Sequence, residues 1–339
     1  MSSAPVPPCP LSVCIVSWNC AEMLGECLAS IEGEVHDQGY EAIVVDNASD
    51  DSSSALVRDR FPWALLIEND SNLGFTKATN QGLTAARGRH RLLLNPDTVV
   101  PEGGLRQALE HLEASPDVGV MGCRVEYPDG RFQGSAFRFP DLLSIFLAGL
   151  FLPQMFPGSS TLNRERYGNV DAKEARDVDC VMGGFYLIRG EALAQTGLLD
   201  ESYFMYAEEM DLAMRMHMKG WKVRWFPTPT IQHQRGGTSL GNAEIGAWCY
   251  GAKTRGQLFF LDKWRGTGVA WIANMFFLIF LIPRLFGWFF SDLLRGIPPW
   301  RSHKLLRGRI LRHRLACLFR PSRIREAWRA PAFVRRSSA

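Results

Sequence analysis

Residues 92–100 read LLLNPDTVV. Three leucines run into Asn95, Pro96 and Asp97, and apolar residues then resume. The run has the length of a short buried strand. A proline at its end lacks the N–H that a ladder needs and turns the chain out of the sheet. Asp97 is then presented beyond the strand instead of paired within it. The same layout recurs upstream, where LSVCIVSW (11–18), EAIVVDNAS (41–49) and WALLIEN (63–69) are β-rich runs with polar residues at their ends. Between them lie AEMLGECLASI (21–31) and SSSALVRDRF (52–61), which have helical spacing. SNLGFTKATNQGLTAARG follows as a loop passing into a helix. Strand and helix alternate with short connections, which predicts a mainly parallel α/β sheet flanked by helices.

In an open α/β sheet, ligands sit beyond the carboxyl ends of the strands. Ser17 to Asn19, Asp46-Asn47, Asn69 to Asn72 and Asn95 to Asp97 all fall at such ends. Each cluster alone is also ordinary turn chemistry; four at one edge favour a site. No G-x-G-x-x-G follows the first strand and no G-x-x-x-x-G-K-[ST] occurs, which disfavours a dinucleotide site and a P-loop. The phosphates of a nucleotide would need positive charge from elsewhere. A divalent metal on Asp97 would supply it.

A second acidic cluster lies in FMYAEEMDLAMRMHMKG (204–220), which reads as a helix opening with acids and ended by Gly220. Glu208 and Asp211 share one face, and Asp211 and Arg215, four apart, can pair. Acids in a first turn also suit the helix dipole. The aromatics just before them suggest a poorly solvated rim, where a carboxylate is pushed towards basicity. Upstream, residues 128–175 read as irregular, with FPDLLSIFLAGLFLPQMF (139–156) either a buried helix or one leaning on a membrane. VDCVMGGFYLIRGEAL (178–193) returns to strand, and Gly183-Gly184 marks a bulge or a close approach of backbone to ligand. WKVRWFP (221–227) is expected to be a strand. PTPTIQHQRGGTS (227–239) is expected to be a loop carrying His233 as a further candidate metal ligand.

Taken together, VSWN (16–19), VVDNASDD (44–51), NLGFTKATNQG (72–82), LLLNPDTVV (92–100), GGFYLIR (183–189), LLDESYFMYAEEMDL (198–212) and HQRGGTS (233–239) resemble family 2 glycosyltransferases of the GT-A fold. DGRFQGS and FMYAEEMDL resemble the rhamnosyltransferase-like branch. The resemblance spans about 11–240, in the family's order. It implies that Asp97, at the D-x-D position, binds Mg²⁺ or Mn²⁺ bridging the two phosphates of a nucleoside-diphosphate sugar, with His233 a further ligand. Asn95 departs from the acidic pattern and leaves one less charge on the metal. Asp46 would contact the nucleobase, Ser17 and Asn19 the nucleoside, and Asn72, Gly74 and Asn80 the ribose and diphosphate. Glu209 matches the catalytic base, usually Asp in an E-D pair. Here the pair is Glu-Glu, which sets the base one methylene further out and keeps Glu208 as a second candidate. Gly183, Gly184, Asp211 and Arg215 fall on the acceptor side. A metal on one side and a base on the other imply a single displacement with inversion.

Charge is unevenly distributed along the 339 residues. From Arg284 onward there are 14 Lys and Arg against 2 Asp and Glu, whereas the body is net acidic. TGVAWIANMFFLIFLIPRLFGWFFSDLL (267–294) is the most hydrophobic region. Its apolar length, 269–290, nearly matches a bilayer span, but Pro283 and Arg284 interrupt it. A re-entrant or in-plane pair of helices fits as well, and a helix completing the soluble core is the least favoured reading. KLLRGRILRHRLACLFRPSRIR (304–325) has the pattern of an amphipathic helix on anionic lipid. A nucleic-acid arm is disfavoured, since apolar residues interleave regularly with the arginines. The expected organisation is a flexible 1–10, a catalytic domain over 11–262 and a membrane-associated helical region over 263–339. No signal peptide is recognised, and the eight cysteines without C-x-x-C fit reduced thiols. The expected setting is the cytoplasmic face of a bacterial plasma membrane, peripheral or monotopic or singly spanning, with a lipid-linked or saccharide acceptor. The competing readings are an inactive scaffold of the same fold and a nucleotidyltransferase.

Overall fold

The computed structural model describes residues 9–169, 173–234 and 243–294, with residues 311, 314 and 315. The chain opens as β1 (Leu11–Ser17), α1 (Ala21–Gln38), β2 (Glu41–Asp46), α2 (Ser53–Arg60), β3 (Leu65–Glu68), α3 (Phe75–Ala85) and β4 (His90–Leu94). There follow β5 (Thr98–Val99), α4 (Gly104–Glu113), β6 (Val118–Glu126), β7 (Phe132–Gln133), β8 (Ala136–Phe137), α5 (Leu142–Gly149) and α6 (Leu152–Met155). The remainder is β9 (Arg176–Val178), β10 (Cys180–Val181), β11 (Phe185–Ile188), α7 (Gly190–Thr196), α8 (Glu208–Met218), β12 (Lys222–His233), α9 (Ala243–Arg265) and α10 (Thr267–Leu294).

The sheet runs β3-β2-β1-β4-β11-β6-β12-β5, with β7 on β6 and β9 on β12. The first four strands are mutually parallel, and β11 enters antiparallel between β4 and β6. Strand alternation explains the layering. On β1, Leu11, Val13 and Ile15 face a core shared with α1 and α4, whereas Cys14 faces one shared with α3 and α8. β2 and β4 alternate likewise, with Val44 and Leu92 on the first side and Val45 and Leu93 on the second. From β1 the chain builds β2 and β3 to one side and β4 to the other. That reversal opens a crevice outside the carboxyl ends of β1 and β4.

Four expectations need correction. His233 is not in a loop: β12 bends at a register shift between Phe226 and Thr230, containing the cis Thr228–Pro229 bond, and continues to His233. The stretch 128–175 is not irregular but holds β7, β8, α5 and α6. The region 269–290 is neither a pair of helices nor broken at Pro283; α10 runs through as one helix. Among the described residues no helix is long and apolar enough to cross a membrane. Finally, a boundary at 262/263 falls inside the last turn of α9, whose Lys263 and Trp264 bond Asp211 of α8. The least favoured reading of α10, a helix completing the core, is partly realised: Ala270 and Ala273 are buried with Leu258 and Leu261 of α9 and Ile145 of α5.

Candidate active site

β5 pairs antiparallel with the end of β12, setting His233 opposite Thr98. The Gln234 amide donates to the Asp97 carbonyl at 2.9 Å. This pairing brings the two distant segments together: His233 Nε2 lies 3.2 Å from Asp97 Oδ1 and 3.3 Å from Asn95 Nδ2. On its other side His233 Nδ1 meets Gln133 Oε1 at 2.8 Å, and Gln133 is buried. In the tautomer in which Nδ1–H donates to Gln133 Oε1, Nε2 keeps a lone pair on the side of Asp97 and Asn95. A carboxylate and an imidazole lone pair facing each other at this spacing form a donor set that fits one oxygen- and nitrogen-preferring divalent cation. Among the described residues no group of three or more His, Cys, Asp or Glu is placed to hold a metal ion, so Asp97 and His233 would be a two-residue set. That pattern suits Mg²⁺ or Mn²⁺, which keep positions for phosphate oxygens and water. Backbone fixes the cradle. Asn95 N–H donates to the Gly184 carbonyl at 3.1 Å, and a Cβ on Gly184 would stand 3.6 Å from the His233 ring. Gly183 and Gly184 lie in the turn between β10 and β11 and not within a strand.

At the ends of β1 and β2 the polar residues hold one another. Asp46 is buried, accepting from the Ser49 hydroxyl at 2.6 Å and the Ser49 amide at 3.0 Å. Asn19, at φ 51°, accepts from the Asp50 amide at 2.7 Å. Ser17 is fully buried, its hydroxyl 3.3 Å from the Cys20 sulfur. Asn72 accepts from Asn47 Nδ2 and from the Gly74 amide. Gly74 has φ 91°, and a Cβ there would sit 2.7 Å from the Phe204 ring, so only glycine fits. Asn80 departs from its expected role. It is buried and bonds the backbone of Leu199 in both directions, 2.9 and 3.1 Å, which ties α3 to the segment before α8.

Glu208 and Glu209 open α8, just after Tyr206 and Ala207, both at positive φ (70° and 74°). The strained turn directs the helix N-terminus at the second side of the sheet. Oε2 of each glutamate is buried without a hydrogen-bond partner among the described residues. Burial, followed by the neighbouring Glu209 charge, pushes Glu208 well above the usual carboxylate range. Burial also raises Glu209, against the pull of the Lys253 ammonium on α9. The pair therefore gives up its last proton at a higher pH than two separate carboxyl groups would. β11 joins the two clusters: Gly184 touches the Asn95–His233 cradle, and the Tyr186 hydroxyl donates to the Glu209 carbonyl at 3.1 Å.

Asp211 and Arg215 do not join this group. Asp211 is completely buried and accepts from Arg215 Nε (3.0 Å), Lys263 Nζ (2.6 Å) and Trp264 Nε1 (2.9 Å). Arg215 also donates to the carbonyls of Thr196 and Gly197. A carboxylate so fully satisfied is a fastening between helices. Sequence reading passed over Gln133, Lys253 and the aromatic group of Trp18, Phe204 and Trp248 at the first turns of α9. Gln133 lay within DGRFQGS, where a polar residue next to an aromatic in a two-residue strand gave no sign of its partner a hundred residues on.

The family model "Glycosyl transferase family 2" matches residues 12–196, more than half of the chain. The chain belongs to glycosyl transferase family 2. It is a glycosyltransferase with a GT-A-like mixed α/β fold. An N-acetylglucosaminyl-diphospho-decaprenol L-rhamnosyltransferase of Mycobacterium tuberculosis is 25% identical over 319 residues, covering 90% of this chain and 95% of that protein. The rhamnosyltransferase WbbL of Escherichia coli is 22% identical over 199 residues, covering 53% of this chain and 72% of that protein. Among solved structures, a mannosyltransferase of Pyrobaculum calidifontis in complex with GDP-Man and Mn²⁺ superposes with a TM-score of 0.51 at 16% identity, covering 93% of this chain and 90% of that one. GalNAc-T7 with UDP, GalNAc and Mn²⁺ gives 0.53 at 16% identity, covering 76% of this chain and 48% of that one. These likenesses concern the fold of this family 2 glycosyltransferase.

Proposed function

We propose that this glycosyltransferase moves rhamnose from a nucleoside-diphosphate donor to a hydroxyl of a polyprenyl-diphosphate-linked saccharide, with inversion, during cell-envelope polysaccharide synthesis. The relative aligned over nearly its whole length supports the sugar and the lipid-linked acceptor. The observation that carries the chemistry is the His233 ring set 3.2 Å from Asp97 and held on its other side by Gln133. Asp97 and His233 would hold Mg²⁺ or Mn²⁺, with Asn95 beside them. When bound, the cation neutralises charge on the departing diphosphate. Glu209 accepts the acceptor hydroxyl's proton, and burial suits it to that role by raising its basicity. Glu208 retains the shared proton and keeps its neighbour ionised through a single negative charge per pair. Lys253 stabilises that charge. The proposed setting is the cytoplasmic face of the plasma membrane, where the basic C-terminal stretch meets anionic lipid.

Release of nucleoside diphosphate, measured over a panel of sugar nucleotides with Mn²⁺, tests the reading. Asp97→Ala and Glu209→Gln are expected to lose about 100-fold or more, whereas Glu208→Gln retains more activity than Glu209→Gln. Equal release by wild type, Asp97→Ala and Glu209→Gln would sink the catalytic assignment.

A further inference from the structure

Large apolar side chains are unevenly placed on this surface. Most of the exposed ones among the described residues gather on α5, α6, the residues that flank α6, and α10. Met155 is 65% exposed and Ile279 52%, and Leu143, Phe151, Phe156 and Trp271 stand out beside them. The elements form one face because α5 packs on α10: the Phe146 ring meets Phe276 and Phe280 edge-on, at centroid distances of 5.4 and 5.7 Å. Gly149 admits the Phe280 ring where any Cβ would collide. The capping box of Asp141 and Ser144 fixes the start of α5, so the outward direction of Leu143 follows from a defined helix.

Two features of the sequence say what covers this face. No charged residue occurs from Leu142 to Asn163, nor from Thr267 to Pro283. The first stretch is flanked by balanced charge, Asp141 paired with Arg164 and then Glu165 and Arg166, whereas the second is followed in sequence by a segment with 14 Lys and Arg against 2 Asp and Glu. Apolar and aromatic residues bordered by positive charge match the interface of an anionic bilayer, where rings sit at headgroup depth and cations meet phosphate.

We propose that α5 and α6, with the outer face of α10, form a membrane-docking surface that seats at the headgroup boundary of an anionic bilayer. This deepens the reading of a lipid-linked acceptor and rests on it for its purpose. The docking residues lie outside the basic C-terminal stretch, so the catalytic domain itself touches lipid. Only eight residues separate Gln133, which orients His233, from Leu142 at the start of α5. Docking there sets the catalytic edge close to the surface from which a lipid-linked saccharide projects.

The test uses the full chain and co-sedimentation with phosphatidylcholine vesicles, with and without phosphatidylglycerol. Leu143→Glu/Met155→Glu places two charges on the face at exposed positions. It is expected to weaken binding to the anionic vesicles by about tenfold or more and to abolish binding to the neutral ones. Leu65→Glu/Met218→Glu, at exposed apolar positions away from the face, is expected to bind as wild type. Thermal midpoints and nucleoside diphosphate release should match wild type for both, which separates failed docking from failed folding and from failed catalysis. Unchanged vesicle binding by Leu143→Glu/Met155→Glu overturns the proposal. So does a wild-type dimer that this variant splits while vesicle binding persists.

Discussion

Glu208 and Glu209 show how one residue's environment can set both chemistry and stability. Two carboxyl groups side by side in a buried position cannot both ionise cheaply, and the folded chain resolves this by retaining a proton on the pair. The unfolded chain has no such restraint and loses that proton at an ordinary carboxylate pKa. Between the unfolded and the raised folded pKa, the native state binds more protons, so this pair lowers stability as pH rises through that window. Below the unfolded pKa the penalty vanishes. Glu208→Gln is therefore expected to melt higher than wild type at pH 7–8. The gain should grow by at most about 1.4 kcal/mol per pH unit across the window and disappear as the pH falls towards 4. Melting curves of both proteins over that range check it; a constant difference at every pH would contradict the shared proton. Asp97 and Glu209 were legible as singular residues because each follows a recognisable pattern: a strand stopped by proline, and acids opening a helix after aromatics. Gln133 and Lys253 were not, since their meaning lies wholly in what stands opposite them.

At the scale of elements, the decisive event is the fastening of α9 onto the catalytic sheet. Helical spacing in the sequence correctly suggested that Asp211 and Arg215 pair along α8. It could not show that Lys263 and Trp264 of α9 complete the Asp211 shell, since hydrophobic periodicity describes a helix's faces and not its neighbours. The same limit hid the end of β12: a stretch with two prolines reads as a loop, yet the strand resumes after its bend because β5 and β6 offer it partners. Asp211→Ala leaves Arg215 and Lys263 facing each other without the buried anion between them. The expected cost is about 3 kcal/mol, the low end for a broken buried pair because both cations are partly exposed. For a domain of this size that is a fall of roughly 6 °C in melting temperature. Were Asp211 instead a ligand of the acceptor, the variant would melt normally and only its KM would rise.

Across the whole molecule, the question is whether the C-terminal helices are an appendage or part of the fold. Its wealth of apolar and aromatic residues made α10 look detachable, and composition cannot tell a lipid-facing surface from a core-facing one. The structure divides the helix between both. Ala270, Ala273, Leu278 and Leu281 are buried, and Trp271, Ile272 and Ile279 face outward. Asn274, the lone polar residue of the apolar run, is buried too, donating to the Arg314 carbonyl at 3.0 Å. Arg314 stacks on Phe277, 4.9 Å from the ring centroid, and donates to Thr254 of α9, so one arginine of the amphipathic stretch turns inward instead of towards lipid. Ending the chain after Arg265 would uncover Leu258, Leu261 and Ile145. At about 1.5–3 kcal/mol for each large aliphatic side chain returned to water, the loss is about 5–9 kcal/mol, of the order of the whole net stability of a domain. The truncated chain is therefore expected to aggregate or to melt far below the full-length protein in the same detergent, and to lose nucleoside diphosphate release with it, because α9, which carries Lys253 near Glu209, loses the helix packed against it. A detachable anchor would give the opposite result: a soluble monomer, melting within a few degrees of the intact chain and hydrolysing its donor at the same rate. Thermal unfolding and size-exclusion of the two proteins, run side by side, decide between them.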